Sequence, residues 1–183
     1  MKTAAPLTAG RFERLAASMG PCELVKGEIV PRSPGGVEHS RVVARIVGLL
    51  LNWTRTSKSG QVLTGEAGIL VGRDPDTVRG ADVLYISYKR WPAGKKWTGF
   101  LTRRPELIVE VMGQKDTWEE LETKVAEYHL FGADLVWVAD PQTQTVRVHA
   151  RGGKPASLHG TDELASPRLL PEFRCRARDL FAE

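Results

Sequence analysis

The stretch Glu106–Met112, "ELIVEVM", limits the possible folds more than any other part of the chain. Leu107, Ile108, Val109, Val111 and Met112 form a nearly continuous apolar run. A short run without polar alternation reads as a strand covered on both faces. The chain therefore needs a sheet with a layer of structure on each side. Glu110 stands in the middle of this strand. A carboxylate with no partner is costly there, so another group has to compensate it.

The flanking segments supply such layers. "LTAGRFERLAASM" places Phe12, Leu15, Ala16 and Met19 at helical spacing. "ELVKGEIV" predicts a hairpin turning at Lys26-Gly27, with Glu28 opening its second strand. After the loop "PRSPGG", a long helix carries Val42, Val43, Ile46, Leu50 and Trp53 on one face, and His39 falls near its start. "QVLTGEAGILVGRDPDTVRGADVLYISY" holds strands divided by polar turns. "LVWVADP" is a further buried strand, and "QTVRVHA" reads as the last one. Between "ELIVEVM" and "LVWVADP" lies a second helix, "DTWEELETKVAEYHLFG". Asp116 or Thr117 caps it, Trp118, Leu121, Val125 and Tyr128 form its stripe, and Gly132 ends it. Strand, helix and strand in succession imply a crossover between parallel strands. The expected class is α/β, α+β-like in order, with a mixed sheet flanked by helices.

Apolar residues at 42% and charged residues at 26% fit one globular domain spanning 1–183. No apolar run has membrane-spanning length, and Cys22 and Cys175 lack metal-ligand spacing. A cytoplasmic protein without disulfides is expected. The net charge of +4 permits an anionic partner without requiring one.

A second acid resembles Glu110. In "RGADVLYIS", Asp82 leads into another apolar strand. Two acids on neighbouring strands repel, and a hard divalent cation, Mg²⁺ or Mn²⁺, removes the repulsion. Asp82 equally suits a turn cap after Gly80, and Glu110 an arginine partner.

The ordered series "CELVKGEIV", "SPGGVEHS", "RGADVLYIS", "RPELIVEV", Lys124 with Tyr128, "LVWVADP" and "VRVH" resembles the Uma2 family of the PD-(D/E)XK nuclease-like superfamily. The resemblance implies a restriction-endonuclease-like core, a metal-dependent endonuclease acting on DNA, and a homodimer. It assigns Asp82, Glu110 and the carbonyl of Val111 to the metal. It also assigns Glu28 and His39 to the catalytic segments "KGE" and "SPGGVEH". Three positions depart from the pattern. Ala81 replaces a proline, Met112 replaces the superfamily lysine, and Gly113-Gln114-Lys115 replaces Ser-Pro-Ser.

Lys124 is the candidate substitute for the missing lysine. At about 100° per residue it lies roughly 80° from the centre of its helix's apolar stripe, where a long stem reaches round to the sheet. A snorkelling lysine fits the same position, and Lys115 is the next candidate. His39 reads either as a satisfied histidine at a helix start or as a pocket residue, and Glu28 either as a solvated strand end or as a further acid. In "YKRWPAGKKWTGFLTRR", Lys95, Lys96, Arg103 and Arg104 are interleaved with aromatics, the pattern of a nucleic-acid contact bordering the site. A catalytically degenerate nucleic-acid-binding or interaction module is the main alternative. A hydrolase using paired carboxylates without metal is the third reading.

Overall fold

The computed structural model describes residues 5–182. Its spine is an antiparallel hairpin of two long strands, β3 (Gly60–Gly72) and β4 (Thr77–Ser87). β3 occupies one edge of β4 along its length. Two shorter strands share the other edge, end to end. β5 (Leu107–Val111) pairs with Val83–Tyr85, and β1 (Cys22–Val25) pairs at Val78. From Arg79 to Asp82 that edge has no strand partner.

β1 turns into β2 (Glu28–Pro31) through Lys26 and Gly27, whose φ angles of 50° and 79° suit a two-residue hairpin. On the other side β5 runs parallel to β6 (Leu135–Asp140), followed by antiparallel β7 (Thr145–Ala150) and β8 (Ala156–His159). The expected mixed sheet and parallel crossover are both present.

Helix α2 (Val37–Ser57) covers one face and α3 (Trp118–Phe131) the other; α1 (Ala9–Ala16) lies over the β1 end. The pleat of β5 explains its composition. Leu107, Val109 and Val111 pack with Val42, Ile46 and Leu50 of α2, whereas Ile108 packs with Leu121, Val125 and Tyr128 of α3. Both faces are buried, so only the polar exception, Glu110, interrupts the apolar run. Thr117 and Glu120 form a capping box at the start of α3, and Gly132, at φ 109°, ends it.

Two expectations need correction. The chain does not finish its strands at β7. It adds β8, a hairpin of β9 (Glu163–Ser166) and β10 (Leu170–Arg176), and a 3₁₀ turn (Ala177–Leu180). These pieces carry few apolar residues each and show no period. Yet Leu164, Leu170, Phe173 and Leu180 complete the core beneath α2. Helix α1 buries Ala9 and Phe12 but leaves Leu15 38% exposed, and Met19 lies beyond its end. The small cluster of Leu24, Leu70 and Val78 does not cover the full stripe.

Ile108→Ala removes a fully buried side chain below α3 and is expected to cost about 2–5 kcal/mol in urea unfolding. Leu15→Ala is expected to stay within about 0.5 kcal/mol. Equal losses would contradict this division of the core.

Candidate active site

The unpaired edge of β4 is where the buried acids meet. Because the β4–β5 ladder ends at Val83 and Val109, the next amide on β5, that of Val111, has no strand acceptor. It donates instead to Asp82 Oδ2 at 2.7 Å. On the β1 side the Gly80 amide donates to Glu23 Oε1 at 3.1 Å. Side-chain carboxylates thus replace missing main-chain partners at both ends of the gap.

Glu110 projects from the α3 face of β5. Its Oε1 accepts from the Tyr128 hydroxyl at 2.5 Å and its Oε2 from Lys124 Nζ at 3.1 Å. Tyr128 and Lys124 are one turn apart on α3, so one helix surface presents both donors. Lys124 also lies 3.2 Å from Glu23, and Glu23 meets Arg79 at 2.9 Å and Arg32 at 2.7 Å. Arg79 is held in turn by Glu127 of α3 at 2.6 Å. His39, two residues into α2, places Nε2 3.3 Å from Asp82 Oδ2. Gly35 makes room for it, since a Cβ there would lie 2.6 Å from the imidazole Nδ1. A cleft of about 140 Å³ opens beside His39, between the start of α2, Met112–Gln114 and Pro141.

The expected site residues are therefore only partly gathered. Asp82, Glu110, Val111, Lys124 and His39 come together. Glu28 does not. It is exposed at the start of β2, opposite Val25, while Leu24 pairs with Val78. That register puts it about five residues of strand, roughly 17 Å, from the level of Asp82. The basic stretch also divides. Lys95 and Lys96 are exposed in the loop after β4, with Lys95 Nζ 4.9 Å from the Trp97 ring. Arg103 and Arg104 line a separate pocket with Lys89, Arg90 and Arg151. That pocket lies at the Ser87 and Glu106 ends of β4 and β5, so these two arginines do not border the acids.

Sequence reasoning missed Glu23 and Glu66. Glu23 is 3% exposed in a strand of otherwise ordinary composition, the same anomaly that marks Glu110. Glu66 follows Gly65 at a bulge in β3, with φ 58° and 81° respectively. Its Oε2 occupies the space beside Gly80, 2.5 Å from where a Cβ would sit. A glycine within a strand pattern was the available signal.

The sequence profile of the Uma2 family, described as "putative restriction endonuclease", matches residues 9–178. The chain belongs to the Uma2 family. A solved structure described as a "putative nuclease belonging to DUF820" from Anabaena variabilis ATCC 29413 superposes with a TM-score of 0.80 at 18% identity, covering 96% of this chain and 98% of that one. At that identity the likeness concerns the fold. No match is found among curated proteins.

In this Uma2 member the ammonium of Lys124 stands against Glu110, while Met112 packs partly buried in the α3-side core. Burial alone would lower the lysine; Glu110 and Glu23 outweigh it and hold Lys124 protonated. Burial pushes Glu110 up to about 7, with the Asp82 charge adding to it and Lys124 and Tyr128 opposing. Both Glu110 oxygens act as acceptors here, which is the pattern of the ionised form. Burial also favours neutral Glu23, but Lys124, Arg79 and Arg32 bring it down to about 2. The hydrogen bond to Asp82 raises His39, against the effect of burial. Loss of solvent and then the Asp82 charge raise Glu66.

Among the described residues, no three His, Cys, Asp or Glu side chains form a ready metal cage. The smaller donor set of Asp82, Glu110 and the Val111 carbonyl still fits a hard divalent cation. In a strand the carbonyl projects to the same edge as its own amide, and the Val111 amide points at Asp82. The charge of Asp82 raises both Glu110 and Glu66, a repulsion that a cation relieves.

A divalent cation held by this donor set would require ionised Glu110 and would be opposed by protonated His39. Mn²⁺ affinity measured by calorimetry is therefore expected to rise with pH through about 7. Asp82→Asn and Glu110→Gln are each expected to abolish it and to leave the fold intact. Affinity that is unchanged in both variants, or flat with pH, would remove the site. Metal-free stability has the opposite slope. Folded Glu110 keeps a proton that the unfolded chain has lost, so its contribution falls as pH rises from the ordinary 4.5 to about 7.

Proposed function

We propose that this Uma2 member is a metal-dependent endonuclease that hydrolyses phosphodiester bonds of nucleic acid, DNA foremost. The observation that carries the reading is the meeting of Asp82, Glu110 and Lys124 at the open edge of β4. Asp82, Glu110 and the Val111 carbonyl would hold Mg²⁺ or Mn²⁺. Such an ion supplies Lewis acidity and a bound water of lowered pKa.

The protein's own groups have distinct tasks. Lys124, protonated and 13% exposed, brings a positive charge to the place where a phosphate gains negative charge during hydrolysis. Glu23 and Glu110 hold it from two sides, so its position costs little to maintain at the moment of reaction. Tyr128 orients Glu110, and His39 orients Asp82. A homodimer would bring two such sites to one duplex.

The rival reading is a nucleic-acid-binding module that has lost catalysis. Its support is Met112 and the fact that Lys124 already satisfies two carboxylates. One variant separates the two. Lys124→Ala is expected to reduce plasmid and oligonucleotide cleavage about 10²–10³-fold while changing Mn²⁺ affinity only a few-fold. Chelator-sensitive cleavage at equal rates by both proteins would exclude Lys124 and direct attention to Lys115. No cleavage by the wild type on any substrate would favour the module.

A further inference from the structure

We propose that the pocket formed by Lys89, Arg90, Arg103, Arg104 and Arg151 is a second phosphate-binding site, which holds the backbone of a polynucleotide away from the acids. The inference rests on the reading of this protein as one that engages nucleic acid, but it does not depend on cleavage.

The pocket has a volume of about 490 Å³ and is completed by Thr102 and Gly132. Five basic side chains converge on it, and their roles differ. Arg90 pairs with Asp134 and Glu106, and Arg151 reaches Asp134 at 2.8 Å. These two arginines form part of the lining, and the two acids behind them neutralise their charge. Lys89, Arg103 and Arg104 are exposed and have no carboxylate partner among the described residues. Arg104 is placed by the absence of a side chain. A Cβ on Gly132 would come within 2.9 Å of its Nε. Unpaired cations on a wall already neutralised give the hollow a surplus of positive charge. A phosphate supplies the matching charge and accepts in the planes that guanidinium groups present.

The neighbouring aromatics favour phosphate over base recognition. Trp91 is buried, and its ring meets Trp97 at 4.6 Å. Lys95 and Arg103 lie over the Trp97 ring, and Phe100 stacks on Phe12 at 5.8 Å. Trp91, Trp97 and Phe100 are each engaged within the fold, and Tyr88, beside Lys89, is the exposed ring of the segment; stacking on it would tolerate any base. Contacts here would fix position without reading sequence.

The pocket is also remote from the acids. It lies four to five residues along β4 and β5 from Asp82 and Glu110, about 15 Å. Along duplex DNA that separation is about four to five base pairs at ~3.4 Å each.

The test uses the full chain carrying Asp82→Asn, in chelator, so that nothing is cut. Its affinity for a fluorescent duplex is measured by anisotropy over a salt series, with and without Lys89→Ser, Arg103→Ser and Arg104→Ser together. The triple change is expected to weaken binding at least tenfold at low salt. It should also lower the log–log salt slope by about two to three, at ~0.9 per contact. The charge-keeping pair Arg103→Lys and Arg104→Lys is expected to retain the slope. If the triple variant misfolds, Lys89→Glu alone should lower the slope by about one. An unchanged slope, or no binding by the Asp82→Asn protein, overturns the proposal. Oligonucleotides with and without a 5′-phosphate locate the ligand. An equal loss on both identifies internal phosphates, and a loss confined to the phosphorylated strand identifies a terminal one. A lowered slope in a protein whose wild type never cleaves would keep this pocket and reject the nuclease. Cleavage with an unchanged slope would do the reverse.

Discussion

The arrangement depends on one interruption of a hydrogen-bond ladder. β4 is long enough to be paired on one edge by two strands in succession, and they do not meet. Every buried main-chain group in the break needs a partner. Asp82 and Glu23 provide them, one accepting from Val111 and the other from Gly80. Their carboxylates are therefore fixed by backbone geometry rather than by side-chain packing alone. From the opposite edge Glu66 reaches over β4 from the bulge in β3, because residue 80 is glycine. A continuous ladder would have left no room for Asp82 and Glu23 inside the sheet.

Burying so many carboxylates is unfavourable unless cations are buried with them. Helix α3 answers this from outside the sheet. Its surface supplies the Lys124 ammonium and the Tyr128 hydroxyl to Glu110, and Glu127 steadies Arg79 against Glu23. The compensation is uneven. Glu23, with three cations, is held far below the ordinary carboxylate range, whereas Glu110 is pushed up to about 7. The Glu23 side of the gap is electrostatically complete, and the Asp82 and Glu110 side retains excess negative charge. Under the proposed function, that asymmetry makes the Asp82 and Glu110 side the place where a divalent cation would sit.

Much of this was legible in the sequence because apolar patterning is strict where both faces are covered. The buried strand around Glu110, the capped helix after it and the hairpin at Lys26-Gly27 follow from local rules and appear in the structure. Helical geometry and the family's Lys…Tyr pair both singled out Lys124 at the margin of a stripe, and its ammonium lies against Glu110. Other features depend on which strands become neighbours, and sequence spacing does not encode that. Glu28 and Glu23 sit in the same hairpin, and only the register of Leu24 on Val78 brings Glu23 to the gap and leaves Glu28 outside. Arg103 and Arg104 precede the strand of Glu110, yet the length of β5 carries them to its other end. The last strands, β8 to β10, were missed because each carries few apolar residues and shows no clean alternation.

Anomalous diffraction from crystals soaked in Mn²⁺ tests the central claim most directly. The account predicts one strong peak in the break of β4, with an oxygen of Asp82 and an oxygen of Glu110 each at about 2.1–2.2 Å, the Val111 carbonyl facing it and Lys124 still within reach of Glu23. A peak elsewhere, or none at saturating Mn²⁺ with Lys124 still closed on Glu110, would contradict it.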